Sequence, residues 1–245
     1  MSSTIGGSDP GDSRAVATVR EIATPVGPAR VTVHQPLVES ARGTLVLGHG
    51  AGGSGPSADL VALTGLVVSG WNVVLVDQPW RVAGRKLAGP PRQLDAAWGA
   101  VWRDLVGHPS ASERSRLVPP FVAGGRSAGA RVVARTTELL RPDALLLLSF
   151  PLVPVRTGVG PGSTRAPELA AAVAAIADSD APGRPILVVQ GHRDPFGTPE
   201  QIAAALAPAK GVAIVSVPGA HSLTRGAEEV AQQVSQWLLG LPLRE

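Results

Sequence analysis

The sequence predicts an α/β architecture, a mostly parallel sheet with helices on both faces. Three observations carry this. Short continuous apolar runs recur along the chain, among them Gly43-Thr44-Leu45-Val46-Leu47 and Ala144-Leu145-Leu146-Leu147-Leu148, and strands covered on both faces read this way. Segments of helical period separate those runs. An alternating pair of strands comes first, and the strand–helix alternation that follows implies parallel neighbours. A length of 245 residues fits one large domain that buries its core without staples. That domain is expected over 15–245. Residues 1–14 are rich in Gly, Ser and Asp and are expected to form a disordered tail.

Taken in order, 16–22 and 30–33 alternate as two antiparallel strands joined at Pro25-Val26-Gly27-Pro28. The strand 43–47 follows. Ser57 is placed as N-cap of a helix to about residue 69, stopped by Gly70. Residues 72–76 form the next buried strand, ending at Asp77. A helix over 94–106 puts Leu94, Ala97, Trp98, Val101, Trp102 and Leu105 on one stripe. Phe121-Val122-Ala123 leads into a glycine-rich turn, and a helix runs over 128–140. Strands at 144–148, 186–190 and 212–217 then alternate with helices at 167–177, 199–206 and 227–239. The segment 151–167 with its following helix is the one candidate for a lid, and a minimal one.

Composition narrows the function. There is no cysteine, which excludes disulfides and thiolate metal sites. All but two of the 22 basic residues are Arg, yet the formal charge is only +3 and no long basic run occurs; no nucleic-acid partner is expected. The apolar window 60–76 is broken by Thr64, Ser69, Gly70 and Asn72 and reads as helix, turn and strand, so no membrane association is expected. The first eight residues lack a basic n-region and an apolar h-region, and a cytoplasmic location is the expectation.

The chemistry-bearing residues sit at strand ends. Gly125-Arg126-Ser127-Ala128-Gly129 places a serine on a strand-to-helix turn, the position of a nucleophile elbow. A serine hydroxyl needs an adjacent base to attack an acyl carbon. His221, in the loop after the last strand, is the candidate base; His34, His49, His108 and His192 are worse placed. Asp194, ending a late strand in Gln190-Gly191-His192-Arg193-Asp194-Pro195, is the candidate acid that fixes the imidazole tautomer. Its rivals, Asp178 and Asp180, precede that strand. The order Ser, Asp, His is the α/β-hydrolase order. The backbone N–H groups of Ala128 and Ala51 are the candidate oxyanion hole.

Four segments carry a family resemblance: Gly48-His49-Gly50-Ala51-Gly52-Gly53, Gly124-Gly125-Arg126-Ser127-Ala128-Gly129-Ala130-Arg131, Gly191-His192-Arg193-Asp194 and Gly219-Ala220-His221-Ser222. Together they resemble dienelactone-hydrolase-type α/β-hydrolases over about residues 16–240. With Pro79-Trp80-Arg81 and Gly84-Arg85-Lys86, they resemble more narrowly the branch grouped with testis-expressed and chromatin-complex-subunit hydrolase-like proteins. The resemblance implies an α/β-hydrolase fold and a small-molecule acyl substrate, with no metal or cofactor. Dienelactone hydrolases use cysteine as nucleophile, so Ser127 points away from that particular reaction.

Two other readings stay open on sequence. Because some relatives work as complex subunits, the chain could be a non-catalytic interaction protein. Gly48-x-Gly50-x-x-Gly53 with Asp77 ending the next strand also outlines a dinucleotide-binding fingerprint, although Ser54-Gly55-Pro56 lengthens the loop. Arg81 and Arg126 are candidate substrate-binding residues, because loops at the carboxyl ends of strands border the site and a guanidinium fork suits a carboxylate or phosphate; the other reading is that they are solvated or pair with structural acids such as Asp77.

Overall fold

The computed structural model describes residues 16–38, 40–53, 55–107, 117–154, 164–177, 185–206, 209 and 211–241. The expected tail 1–14, His108, Asp178, Asp180 and part of the lid candidate lie outside the described residues.

Eight strands form one sheet in the order β1-β2-β4-β3-β5-β6-β7-β8. β1 (Val16–Ile22) pairs antiparallel with β2 (Ala29–Gln35), and β2 pairs antiparallel with β4 (Trp71–Asp77). From β4 onward all pairings are parallel, through β3 (Gly43–Gly48), β5 (Phe121–Arg126), β6 (Ala144–Leu148), β7 (Ile186–Gly191) and β8 (Val212–Val217). This is the α/β-hydrolase fold. The continuous apolar strands have the physical cause expected of them. In β6, Leu145 and Leu147 pack into one core while Leu146 and Leu148 pack into the other.

The first core lies under α3 (Pro91–Trp102), α4 (Ala128–Leu140), α5 (Ala166–Ala177) and α6 (Pro199–Leu206). The second lies under α1 (Ala58–Leu63) and α7 (Ala227–Leu239). From β3 the chain crosses by α1 to β4 on one side. It then returns by α3 to β5 on the other side. The carboxyl ends of β3 and β5 therefore flank a topological switch point, where open α/β sheets place their sites.

Three local expectations change. The helix from Ser57 is α1 followed by a 3-10 segment, Thr64–Ser69, before Gly70 turns the chain at φ 84°. Ser57 stands at the N-cap position, but its hydroxyl makes no capping bond and is buried without a partner. The helix expected over 94–106 starts earlier, on the Pro90-Pro91 pair, and widens into a π-helical turn at Arg103–Gly107. Pro at the first helical turn loses no hydrogen bond, which is why the pair can open α3. A short helix, α2 (Pro79–Val82), also follows β4.

Candidate active site

Ser127 lies between β5 and α4 with φ 53° and ψ −108°, a backbone region that L-residues seldom occupy and that stores about 1–3 kcal/mol of strain. The turn is held by Ser127 N–H donating to the Leu148 carbonyl at 2.9 Å and by Arg131 N–H donating back to the Ser127 carbonyl at 3.1 Å. It is also packed backbone to backbone. A Cβ on Gly125 would stand 2.5 Å from the Gly129 carbonyl carbon, and one on Gly129 would strike the Gly48 carbonyl. The two glycines are thus required by close approach, which the motif spacing implies.

The three residues that the sequence singles out converge. Ser127 Oγ and His221 Nε2 are 2.8 Å apart, and His221 Nδ1 lies 2.8 Å from Asp194 Oδ2. They come from residues 94 and 27 apart in sequence. Asp194 is 1 % exposed. Its Oδ1 accepts from Phe196 N–H at 2.9 Å and its Oδ2 also accepts from Gln190 Nε2 at 2.9 Å. A carboxylate accepting bonds at both oxygens, facing an imidazole nitrogen, fixes the Nδ1–H tautomer and leaves Nε2 as the acceptor toward serine.

The loop after β3 lies against this turn. A Cβ on Gly50 would stand 2.8 Å from Arg126 Nη1 and 3.6 Å from Ser127 Cβ, so the residue before Ala51 lies beside the serine turn. Ala128 opens α4, whose first N–H groups have no intrahelical partner. His49 is buried beside them. Its Nδ1 lies 2.7 Å from the Gly50 carbonyl, and its Nε2 accepts from Gln78 N–H at 3.0 Å. That pair of contacts requires a neutral ring with the proton on Nδ1. Burial is the main reason that its pKa falls from the usual value to about 4, with the Arg81 charge adding in the same direction.

The family described as alpha/beta hydrolase domain matches residues 41–237. The chain belongs to this family. No protein of curated function matches its sequence. Among solved structures, this hydrolase domain is similar to an alpha-beta serine hydrolase homologue from Coxiella burnetii, with 18 % identity, TM-score 0.67, and coverage of 90 % of this chain and 96 % of the other. It is similar to a dienelactone hydrolase from Anabaena variabilis, with 17 % identity, TM-score 0.69, and coverage of 94 % and 100 %. A thermophilic esterase from Thermogutta terrifontis, solved with propionate bound, gives 17 % identity, TM-score 0.68, and coverage of 96 % and 98 %. These likenesses establish a shared fold.

The dinucleotide outline is not what the hydrolase domain builds around β3. α1 begins only at Ala58, and the end of β3 packs on Gly129 of α4. No described helix is long and apolar enough to cross a membrane.

The two arginines expected to face substrate are engaged elsewhere. Arg81 donates from Nη1 to Asp77 Oδ1 (3.3 Å) and the Gly55 carbonyl (3.2 Å). From Nη2 it donates to the Gly50 (3.4 Å) and Gly52 (3.1 Å) carbonyls. All four contacts are to acceptors of its own chain, and its buried Nε has no hydrogen-bond partner. Arg126 Nη2 donates to the His221 carbonyl at 2.8 Å, and its Nε stands 3.6 Å from Asp59 Oδ2. Sequence position brought both guanidiniums to the site, but the nearest acceptors are backbone carbonyls and structural acids.

Gln190 and Phe196 escaped sequence reasoning. Gln190 is fully buried, and its Nε2 reaches the Phe150 and Gly197 carbonyls as well as Asp194. The available signal was an amide closing a buried apolar strand four residues before the acid. The Phe196 ring packs edge-on against His221, with centroids 4.7 Å apart.

A pH prediction arises from His49. An unfolded histidine binds a proton near pH 6.5, whereas folded His49 does so near 4. Between these values the unfolded state binds more protons, so acid favours unfolding. His49 is expected to remove about 2 kcal/mol of stability between pH 7 and pH 4.5. Urea denaturation of His49→Gln should show a correspondingly flatter pH dependence than wild type. Parallel curves for the two proteins would contradict the assignment.

Proposed function

We propose that the chain is a serine hydrolase cleaving an ester or related acyl bond of a small molecule. The observation that carries this is the unbroken hydrogen-bonded line from buried Asp194 through His221 to Ser127. In the mechanism, Ser127 Oγ attacks the acyl carbon as His221 Nε2 takes its proton. Asp194 stabilises the imidazolium that forms. The N–H groups of Ala128 and Ala51 receive the developing oxyanion. His221 then delivers the proton to the leaving group, and the acyl group remains on Ser127. Water, deprotonated by His221, attacks that ester and releases the acid.

Beside Ala128 a recess is lined by Trp80, Leu94, Trp98 and Val132, with His49 and Gly50 at its wall. Its lining is largely apolar. The chain's resemblance to the branch that includes complex subunits, carried by the four motif segments with Pro79-Trp80-Arg81 and Gly84-Arg85-Lys86, supports a second, non-catalytic reading. A triad whose members already stand at hydrogen-bond distance favours catalysis.

The test is covalent labelling. A fluorophosphonate probe is expected to add one phosphonyl group to the wild-type chain, on the peptide containing Ser127, and none to Ser127→Ala. Failure of the wild type to label, or labelling at another residue, would overturn the proposal.

A further inference from the structure

Arg81 joins the loop after β4 to the loop after β3. Its side chain is 8 % exposed, although it stands on a short helix close to the surface. Asp77, four residues earlier, holds it at one end by an ion pair of 3.3 Å. The other donors gather the Gly50, Gly52 and Gly55 carbonyls. No regular secondary structure orders residues 49–53, so side chains must supply the partners that fix these peptides.

The Gly50 carbonyl matters most. It is shared between Arg81 Nη2 and His49 Nδ1. A trans peptide is planar, with its C=O and N–H pointing in opposite directions. The N–H on the same peptide belongs to Ala51. Turning the Gly50 carbonyl toward Arg81 and His49 therefore turns the Ala51 N–H away from both. An oxyanion-hole donor is effective only if its direction is set before the reaction.

We propose that Arg81 is a positioning residue. It clamps the glycine loop through three carbonyls so that the Ala51 N–H is pre-aimed at the oxyanion, and it does not itself touch the substrate. This rests on the hydrolase reading above. It replaces substrate recognition as the role of Arg81, because its contacts are to acceptors of its own chain. A lysine in its place keeps the charge beside Asp77 but has no planar fork to span several carbonyls.

The experiment compares wild type, Arg81→Lys and Arg81→Met on two p-nitrophenyl esters of equal length, one neutral and one carrying a distal carboxylate. Labelling of the wild type by fluorophosphonate is established first, which separates failure of the hydrolase reading from failure of this one. Arg81→Met is expected to lower kcat about 10- to 100-fold on both esters, with KM within about twofold. The affinity for a trifluoromethyl ketone, which forms a tetrahedral oxyanion adduct, should fall in parallel. Arg81→Lys should lie between. Amide hydrogen exchange of peptides covering 50–53 should rise in Arg81→Met, while that of peptides covering 190–196 is unchanged. If Arg81→Met does not fold, Arg81→Lys carries the same comparisons. Unchanged kcat and exchange, or a loss confined to KM of the charged ester, would overturn the proposal.

Discussion

Ser127→Ala is expected to lower kcat/KM for a short activated ester by about four to six powers of ten while the protein stays folded. The loss is large because, in the proposed mechanism, Ser127 Oγ is the atom that is acylated, and neither His221 nor Asp194 places another nucleophile at that point. The residual rate would come from the oxyanion donors and from binding. Little stability should be lost, because alanine keeps the Cβ at φ 53° and removes one half-buried oxygen. A change of less than about 1 kcal/mol in unfolding free energy is expected. The measurement is steady-state kinetics on p-nitrophenyl acetate alongside urea denaturation. Activity within tenfold of wild type would remove Ser127 from the mechanism.

Arg126→Met is expected to cost about 3–5 kcal/mol of stability. Asp59 is completely buried, and neither carboxylate oxygen has a hydrogen-bond partner; Arg126 Nε, 3.6 Å away, is the cation beside it. Removing the guanidinium strands that charge in a medium where desolvation dominates. The double variant Arg126→Met/Asp59→Leu removes both charges and should recover most of the loss, because an apolar pair can replace a buried ion pair at little net cost. Urea denaturation of the two single variants and the double variant measures the coupling. An Arg126→Met protein as stable as wild type would show that the pair does not act this way.

The parts of this fold that sequence reveals are those set by burial. β3, β6 and β7 read as continuous apolar runs because helices cover both their faces, and α4 and α7 show their helical period because one stripe of each meets a core. Ser127, Asp194 and His221 are legible for a related reason: each lies in the turn that follows a strand whose limits the pattern gives. What the sequence hides is pairing. Arg81 and Arg126 could be placed near the site by chain position, and Asp77 named as an acid for Arg81, but their other contacts include backbone carbonyls, which carry no residue-type signal. Ser57 looks like a cap, yet the hydroxyl's direction depends on tertiary packing. His49 could be set aside as a base, but not recognised as a neutral ring wedged between Gly50 and Gln78. The lid candidate is legible only in part. Its described helix α5 is tied to α4 by the bidentate Arg131–Glu168 contact, at 2.9 and 2.6 Å.

The strand that delivers the base is supported on one side only. β8 closes the sheet and pairs with β7 alone, and most of its residues are half-buried or exposed. Ser127, by contrast, follows β5, which has a strand on either side. The proposed nucleophile therefore follows an inner strand and the proposed base an edge strand. The His221 loop is held to the sheet through the β7–β8 ladder and through the bonds from His192 N–H to the Val217 carbonyl and from Arg193 N–H to the Gly219 carbonyl, so opening of the sheet from this edge would reach it before the Ser127 turn. The Arg126 contact to the His221 carbonyl, with the His221 bonds to Asp194 and Ser127, ties that edge back to the centre.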